Sequence, residues 1–434
     1  MTERIPCIRE GCPNTILPAT AAKTGGYCMP CKQEMEREAH QRYIEANRRD
    51  VNLYEGMTDP VEILKIMHTR QVHDPLIRYA AYEQSKEQVY LSLSTEQQGL
   101  MIDYAMQQIR AGDEDTGKDI LVYLVCYHDA SLSAQIPELL EREIYYPVIL
   151  YKSASAKVRD QLLRQVNTDD ENRNILLLML AYIGDEIVVR QFQQWRQSPP
   201  RWADQLHVPP EHYTTEAGWE LTNEGQRRDL FTTPCYSLYK VKEDDGADNT
   251  SNGDPISILL PNADNCKWCG GSLTTLIDLD VQHPALQDVA WNSDRLQVRT
   301  CVICSCYGVV YMEMDSAGKP CWSALNVMPM GADDLDPDDY VKLAPDAGRQ
   351  FRIATAPRQP FHASEWAMEP SASQIGGHPG WVQDAEYPIC PCCSTRMKAI
   401  GQLDWGEVEE YGEGMYYMFI CEPCQLTAVS YQQS

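Results

Sequence analysis

Twelve of the chain's 17 cysteines fall into three groups of four, and no other feature of the 434-residue sequence constrains its fold as much. The groups are Cys7, Cys12, Cys28 and Cys31, then Cys266, Cys269, Cys301 and Cys304, then Cys390, Cys393, Cys421 and Cys424. Two thiolates a short knuckle apart grip one side of a tetrahedral ion with little loop strain, and a second pair closes the other side. Seventeen is an odd count for a disulfide framework. The opening segment Met1 to Cys7 also lacks the apolar core of an export signal. The expected compartment is therefore the reducing cytoplasm, where such pairs read as zinc ligands. A catalytic zinc usually keeps three protein ligands and an open position. Four cysteines per site predict three closed, structural zinc ions. Unrelated buried thiols are the alternative. Cys306 and Cys392 lie beside knuckles and read as packing residues or substitute ligands; Cys126, Cys235 and Cys321 read as buried thiols.

The second and third groups belong to an internal repeat. Cys269 is followed by Leu273, Leu276, Leu279 and Asp280, and Cys393 by Met397, Ile400, Leu403 and Asp404 at the same offsets. Cys304 precedes Val309 and Tyr311 as Cys424 precedes Val429 and Tyr431. Alternating runs from Arg295 to Thr300 and from Met415 to Ile420 lead into the second knuckles and read as strands. Residues 216–434 are thus expected to form a duplicated zinc-ribbon-like β domain.

Residues 1–50 read as a zinc knuckle plus helix: prolines and glycines make turns between the first four cysteines, and a charged helix starts at Lys32. Residues 51–215 read as helical. Asp59-Pro60 with Glu62 marks one helix start, His73-Asp74-Pro75 a second, and Ser94 with Gln97 a capping box for a third that Gly112 closes. Further helices are expected at 118–127, 136–143, 156–166, 174–183 and 187–195. Short paired helices predict a small HEAT-like solenoid or a compact irregular bundle. The fold class expected is multidomain α+β. Tyr104, Tyr123, Tyr127, Tyr145, Tyr146 and Tyr151 supply either core or a binding face.

Charge narrows the partners. The chain has 37 basic and 63 acidic residues, a net charge of −26, which disfavours nucleic acid. Residues 241–434 hold 28 acidic and 11 basic residues. The candidate partner-binding residues there are Asp333, Asp334, Asp336, Asp338, Asp339, Glu409, Glu410 and Glu413. They are either a solvated surface or a steering field for a basic protein. The segment 243–254 reads as a flexible linker. No apolar run reaches the length of about 18 residues that a membrane span needs. No phosphate loop, nucleophile elbow or His-x-x-x-His pair occurs, so no enzyme is expected and no catalytic residue is proposed.

The run Ser373-Gln-Ile-Gly-Gly-His-Pro-Gly-Trp-Val-Gln383, followed by Cys390-Pro-Cys-Cys393, Gly401-Gln-Leu-Asp404, Gly412-Glu-Gly414 and Cys421-Glu-Pro-Cys424, resembles the YwqG-like family. The resemblance extends to the C-terminal domain of the programmed cell death protein 2 family and covers roughly residues 255–434. Both repeats here keep four cysteines, whereas YwqG-like members often lack some. The segment from Ile16 to Cys31 is similar to a small zinc module found at the start of bacterial immunity proteins encoded beside polymorphic toxins. The resemblance implies a protein-binding protein. The first expectation is an antibacterial immunity protein that neutralises a cognate toxin by occluding its active site. The second is a chaperone or scaffold for a basic cytosolic protein, a ribosomal protein among them.

Overall fold

The computed structural model describes residues 3–241, 253–332, 335, 348, 350–365 and 372–433. It is 34% helix and 22% strand, a mixed architecture with one cysteine cluster near each end and one between. The chain divides into two compact units, Met1–Ser92 and Leu93–Ser434. The second unit therefore holds both the helices from Thr95 onward and the whole β region.

In the first unit a short strand pair, Ile5–Pro6 with Thr15–Ile16, brings Cys7 and Cys12 to one end. Helix Pro18–Thr24 follows where the sequence suggested only turns; Pro18 opens it and Gly25, at φ 68°, ends it. Helix Met29–Asn47 buries only Cys31 and Ile44. It is held at its start by the cysteine cluster, not by an apolar face. Helix Pro60–His68 begins as expected, with the Asp59 carboxylate accepting from Val61 N at 3.0 Å. His73-Asp74-Pro75 does not open a helix. The chain runs instead into strand Ile77–Tyr79, which pairs in parallel with Arg49–Val51. Asp74 does accept a backbone bond two residues on, from Leu76 N, but as a turn and not a cap.

In the second unit the capping box forms in full: Ser94 Oγ accepts from Gln97 N at 3.3 Å and Gln97 Oε1 from Ser94 N at 3.0 Å. Helix Thr95–Ala111 ends at Gly112, with φ 95°, and Glu114–His128 packs back on it. A Cβ on Gly117 would stand 2.4 Å from the Ile109 side chain and 2.7 Å from the Ala105 carbonyl oxygen, so this close helix crossing requires glycine. Helices Ala156–Gln165, Arg173–Ile183 and Glu186–Gln197 follow within two residues of the expected bounds. The hairpin Trp219–Leu221 with Arg227–Asp229 ties these helices to the β region. Trp219 is fully buried and donates from Nε1 to the Ala181 carbonyl at 2.8 Å.

The remaining strands are β1 (Tyr236–Lys240), β2 (Gly253–Pro255), β3 (Ser257–Asn265), β4 (Ser272–Asp280), β5 (Arg295–Thr300), β6 (Val310–Met314), β7 (Pro320–Trp322), β8 (Phe351–Ala354), β9 (Gln374–Ile375), β10 (Lys398–Asp404), β11 (Met415–Cys421) and β12 (Leu426–Gln432). Among the described residues one sheet has three strands in the order β5-β4-β3 and another has nine in the order β7-β6-β12-β11-β10-β9-β1-β8-β2. The antiparallel pairs β4–β5 and β10–β11 are the equivalent hairpins of the repeat. Both ladders shift register at one place, between Thr275 and Ile277 and between Ala399 and Gly401. The extra residue, Leu276 or Ile400, lies at the same offset from its knuckle and is fully buried in a shared apolar core. Asp280 and Asp404 end the equivalent strands β4 and β10, each accepting from the backbone N–H two residues on.

Candidate metal centres

The fold brings each cysteine quartet together. In all three, the sulfurs lie within 4.8 Å of one another. Individual contacts are 3.7 Å for Cys12–Cys28, 3.4 Å for Cys12–Cys31, 3.6 Å for Cys266–Cys304 and for Cys269–Cys301, and 3.6 Å for Cys393–Cys421. A disulfide would need about 2.05 Å. With zinc–sulfur bonds of about 2.3 Å, the edge of a tetrahedron is about 3.8 Å. The donor set therefore fits a four-thiolate metal ion.

Around the first two clusters, backbone N–H groups point at sulfurs. Cys28 N donates to Cys7 Sγ at 3.2 Å, Trp268 N to Cys266 Sγ at 3.4 Å and Gly271 N to Cys269 Sγ at 3.4 Å. The backbone amide of Cys31 and the Asn14 side chain pull the Cys28 thiol down to about 6. Thiolate is the ligating form, so each of these bonds favours metal.

The leading knuckles of the two repeats have the same backbone. Gly270 N bonds to Cys266 O at 3.0 Å and Ser394 N to Cys390 O at 2.9 Å; Cys266 N bonds to Gly271 O and Cys390 N to Thr395 O. The turn residues Gly270 and Ser394 both have positive φ, 78° and 61°. The trailing knuckles differ. After Cys301 the chain continues into a short 3-10 turn, Cys304–Cys306, and does not fold back to pair with β5. After Cys421 it reverses at Gln425, φ 51°, directly into β12.

The surplus cysteines do not all sit as expected. Cys126 and Cys235 are buried, Cys321 is half-buried, and Cys306 and Cys392 are exposed, with Cys306 Sγ donating to Val302 O at 3.3 Å. Of the acidic candidates, Asp333, Asp334, Asp336, Asp338 and Asp339 lie outside the described residues. Glu410 and Glu413 are exposed. Glu409 lines a cavity of about 660 Å³ with Trp405, Tyr416 and Tyr431. Of the six tyrosines, Tyr123, Tyr127 and Tyr151 are core, Tyr104 and Tyr145 are half-buried and Tyr146 is exposed. Among the described residues no helix is long and apolar enough to cross a membrane.

The structure also explains the Gly-Gly-His-Pro-Gly-Trp run. Gly376 and Gly377 have φ of 72° and 83°, and a Cβ on Gly376 would stand 2.3 Å from the Pro234 carbonyl oxygen. Their N–H groups bond to Ile400 O at 2.9 Å and Thr232 O at 2.8 Å. Gly380 is held from both sides, by Gln402 Oε1 at 2.8 Å and Tyr417 Oη at 2.8 Å. This fastens His378 and Trp381 at the wall of a second cavity, beside Glu216 and Glu365. Sequence reasoning missed these residues, because no spacing links residues 216, 365 and 378.

No family model and no solved structure matches the chain. It is 38% identical over 439 aligned residues to the uncharacterized protein YpfL of Salmonella typhimurium, and the match covers 100% of both chains. The chain belongs to the YpfL family.

Proposed function

We propose that the protein is a zinc-stabilised binding protein with no catalytic role for its metals. Its favoured role is that of an immunity protein that neutralises a toxin by occluding its active site. The observation that supports the metal reading is the closed geometry: four thiol ligands per cluster leave no position for a substrate or water. The resemblance of the N-terminal module and of residues 255–434 supports the immunity role. The acidic balance of residues 241–434 supports a basic partner.

Titration of toxin activity tests this reading. One equivalent of the protein is expected to silence one equivalent of toxin, and toxin released from the complex is expected to be active again. Sub-stoichiometric protein that restores many modified target molecules would establish an enzyme instead. Neutralising Glu409, Glu410 and Glu413 together is expected to slow association several-fold at low salt and much less at physiological salt, where screening sets in within about 8 Å. An unchanged association rate would move the contact to another face.

A further inference from the structure

The helices and the β region of the second unit line a cavity of about 430 Å³ that opens to solvent. Three carboxyl groups line it, Glu216, Glu365 and Asp384, and no lysine or arginine among the described residues does. Aromatic rings make much of the wall: Tyr146, Tyr182 and Trp381. These carboxyl groups come from three separate segments, and the glycine-rich run that holds Trp381 also precedes Asp384.

The ring of His378 lines the same cavity and is 1% exposed. Its Nε2 lies 2.9 Å from the backbone carbonyl oxygen of Glu216. A carbonyl only accepts, so Nε2 carries the proton and Nδ1 is a bare acceptor. That Nδ1 is buried and has no hydrogen-bond partner. Burial keeps this histidine neutral, down to about 4. The carboxyl groups lack a cationic partner among the described lining residues: Glu216 and Glu365 are half-buried and Asp384 is exposed. Burial alone lifts Glu365 to about 7, and burial together with Asp384 raises Glu216 against one backbone bond from Ala385 N. Partial burial without a counter-charge favours either the protonated carboxyl group or a bound cation. The aromatic faces attract cations as well, through their negative π surfaces.

We propose that this cavity binds an organic cation, an alkylammonium or guanidinium group, between the carboxylates of Glu216, Glu365 and Asp384 and the rings of Tyr146, Tyr182 and Trp381. The ligand's N–H groups satisfy the carboxylates and His378 Nδ1 at once. A neutral apolar ligand satisfies neither, and an anion meets three acidic groups. The same head group occurs on free amines and on lysine or arginine side chains of a protein. The site is independent of the metal reading and of the immunity role, since none of its residues is a cysteine of the clusters.

Calorimetric titration of the full-length, metal-loaded protein tests the site. The probes are butylguanidinium and its neutral isostere butylurea. Butylguanidinium is expected to saturate at one per chain, and butylurea to bind at least ten-fold more weakly. Glu365→Gln is expected to weaken butylguanidinium at least ten-fold while the unliganded protein gains thermal stability above pH 7, because a buried charge is removed. A merely structural carboxylate would instead lose stability on that change. Agmatine and an acetylated, amidated Ala-Arg-Ala peptide separate the two sources: tighter binding of agmatine assigns the site to a free amine, tighter binding of the peptide to a protein side chain. Equal binding of butylurea and butylguanidinium, or no saturable binding of any cation probe, overturns the proposal.

Discussion

The two halves of the repeat share their spacing from Cys266 to Asp280 and from Cys390 to Asp404, yet they treat their last strands in opposite ways. In the C-terminal half, Gln425 reverses the chain so that β12 pairs with its own β11 over seven residue pairs. In the first half, a 3-10 turn at Cys304–Cys306 takes the place of that reversal, and β6 does not pair with β5. β6 pairs instead with β12, with Val310 opposite Val429 and Glu313 opposite Leu426. The equivalent strands of two repeats thus join each other. The leading knuckles, which share a backbone, hold the halves alike; the trailing knuckles decide how they are joined. Side chains reinforce the joint, since Gln425 accepts from Asn292 N at 2.7 Å and donates to Ala290 O at 3.1 Å.

Loss of the metal ions is the severest way to break this arrangement. A structural zinc supplies apparent folding energy of about 10–16 kcal/mol, so a strong chelator is expected to abolish the cooperative melting of the second unit. Elemental analysis of chelator-free protein is expected to give three zinc ions per chain, and fewer than two would end the closed-site reading. Next in size, Cys421→Ser is expected to lower the melting temperature more than Cys301→Ser. Cys421 ends a strand in the interior of the nine-stranded sheet, whereas Cys301 follows the edge strand of the three-stranded one. Equal losses would mean that the two sheets unfold as one body.

The bulges sharpen the comparison further. Leu276 and Ile400 are both fully buried, so Leu276→Ala and Ile400→Ala are each expected to cost about 2–5 kcal/mol in denaturant unfolding. The smallest effect is the most specific. Ser394 stands at positive φ where the other half has Gly270. Ser394→Gly is expected to stabilise by about 0.5–1 kcal/mol and Gly270→Ser to destabilise by a similar amount. Nothing lies within 4 Å of a Cβ at Gly270, so the second effect reports on backbone conformation alone.

What could be read in advance was local chemistry. Cysteine spacing placed all three quartets, and the caps at Asp59 and Ser94 placed two helix starts, because a cap needs only residues within a turn of each other. The strands at Arg295 and Met415 were legible for the same reason: alternation is written along one segment. Strand Ile77–Tyr79 was not, since its three residues take that form only against Arg49–Val51. The join between β6 and β12 was equally silent, because identical offsets after Cys304 and Cys424 hide a different turn. The cation cavity was least legible, as its carboxyl groups meet only after the helices close on the β region.

The pairing of β6 with β12 also sets an order of events during synthesis. Roughly 110 residues separate the two strands, so at about 5–20 residues per second β6 waits about 5–20 s for its neighbour. In that interval one edge of Val310–Met314 offers unpaired N–H and C=O groups to any other chain. The cluster at Cys266, Cys269, Cys301 and Cys304 is complete before the wait begins. Early capture of a metal ion there would fix the root of the strand, and a shortage of that ion would leave the edge free to recruit the wrong chain.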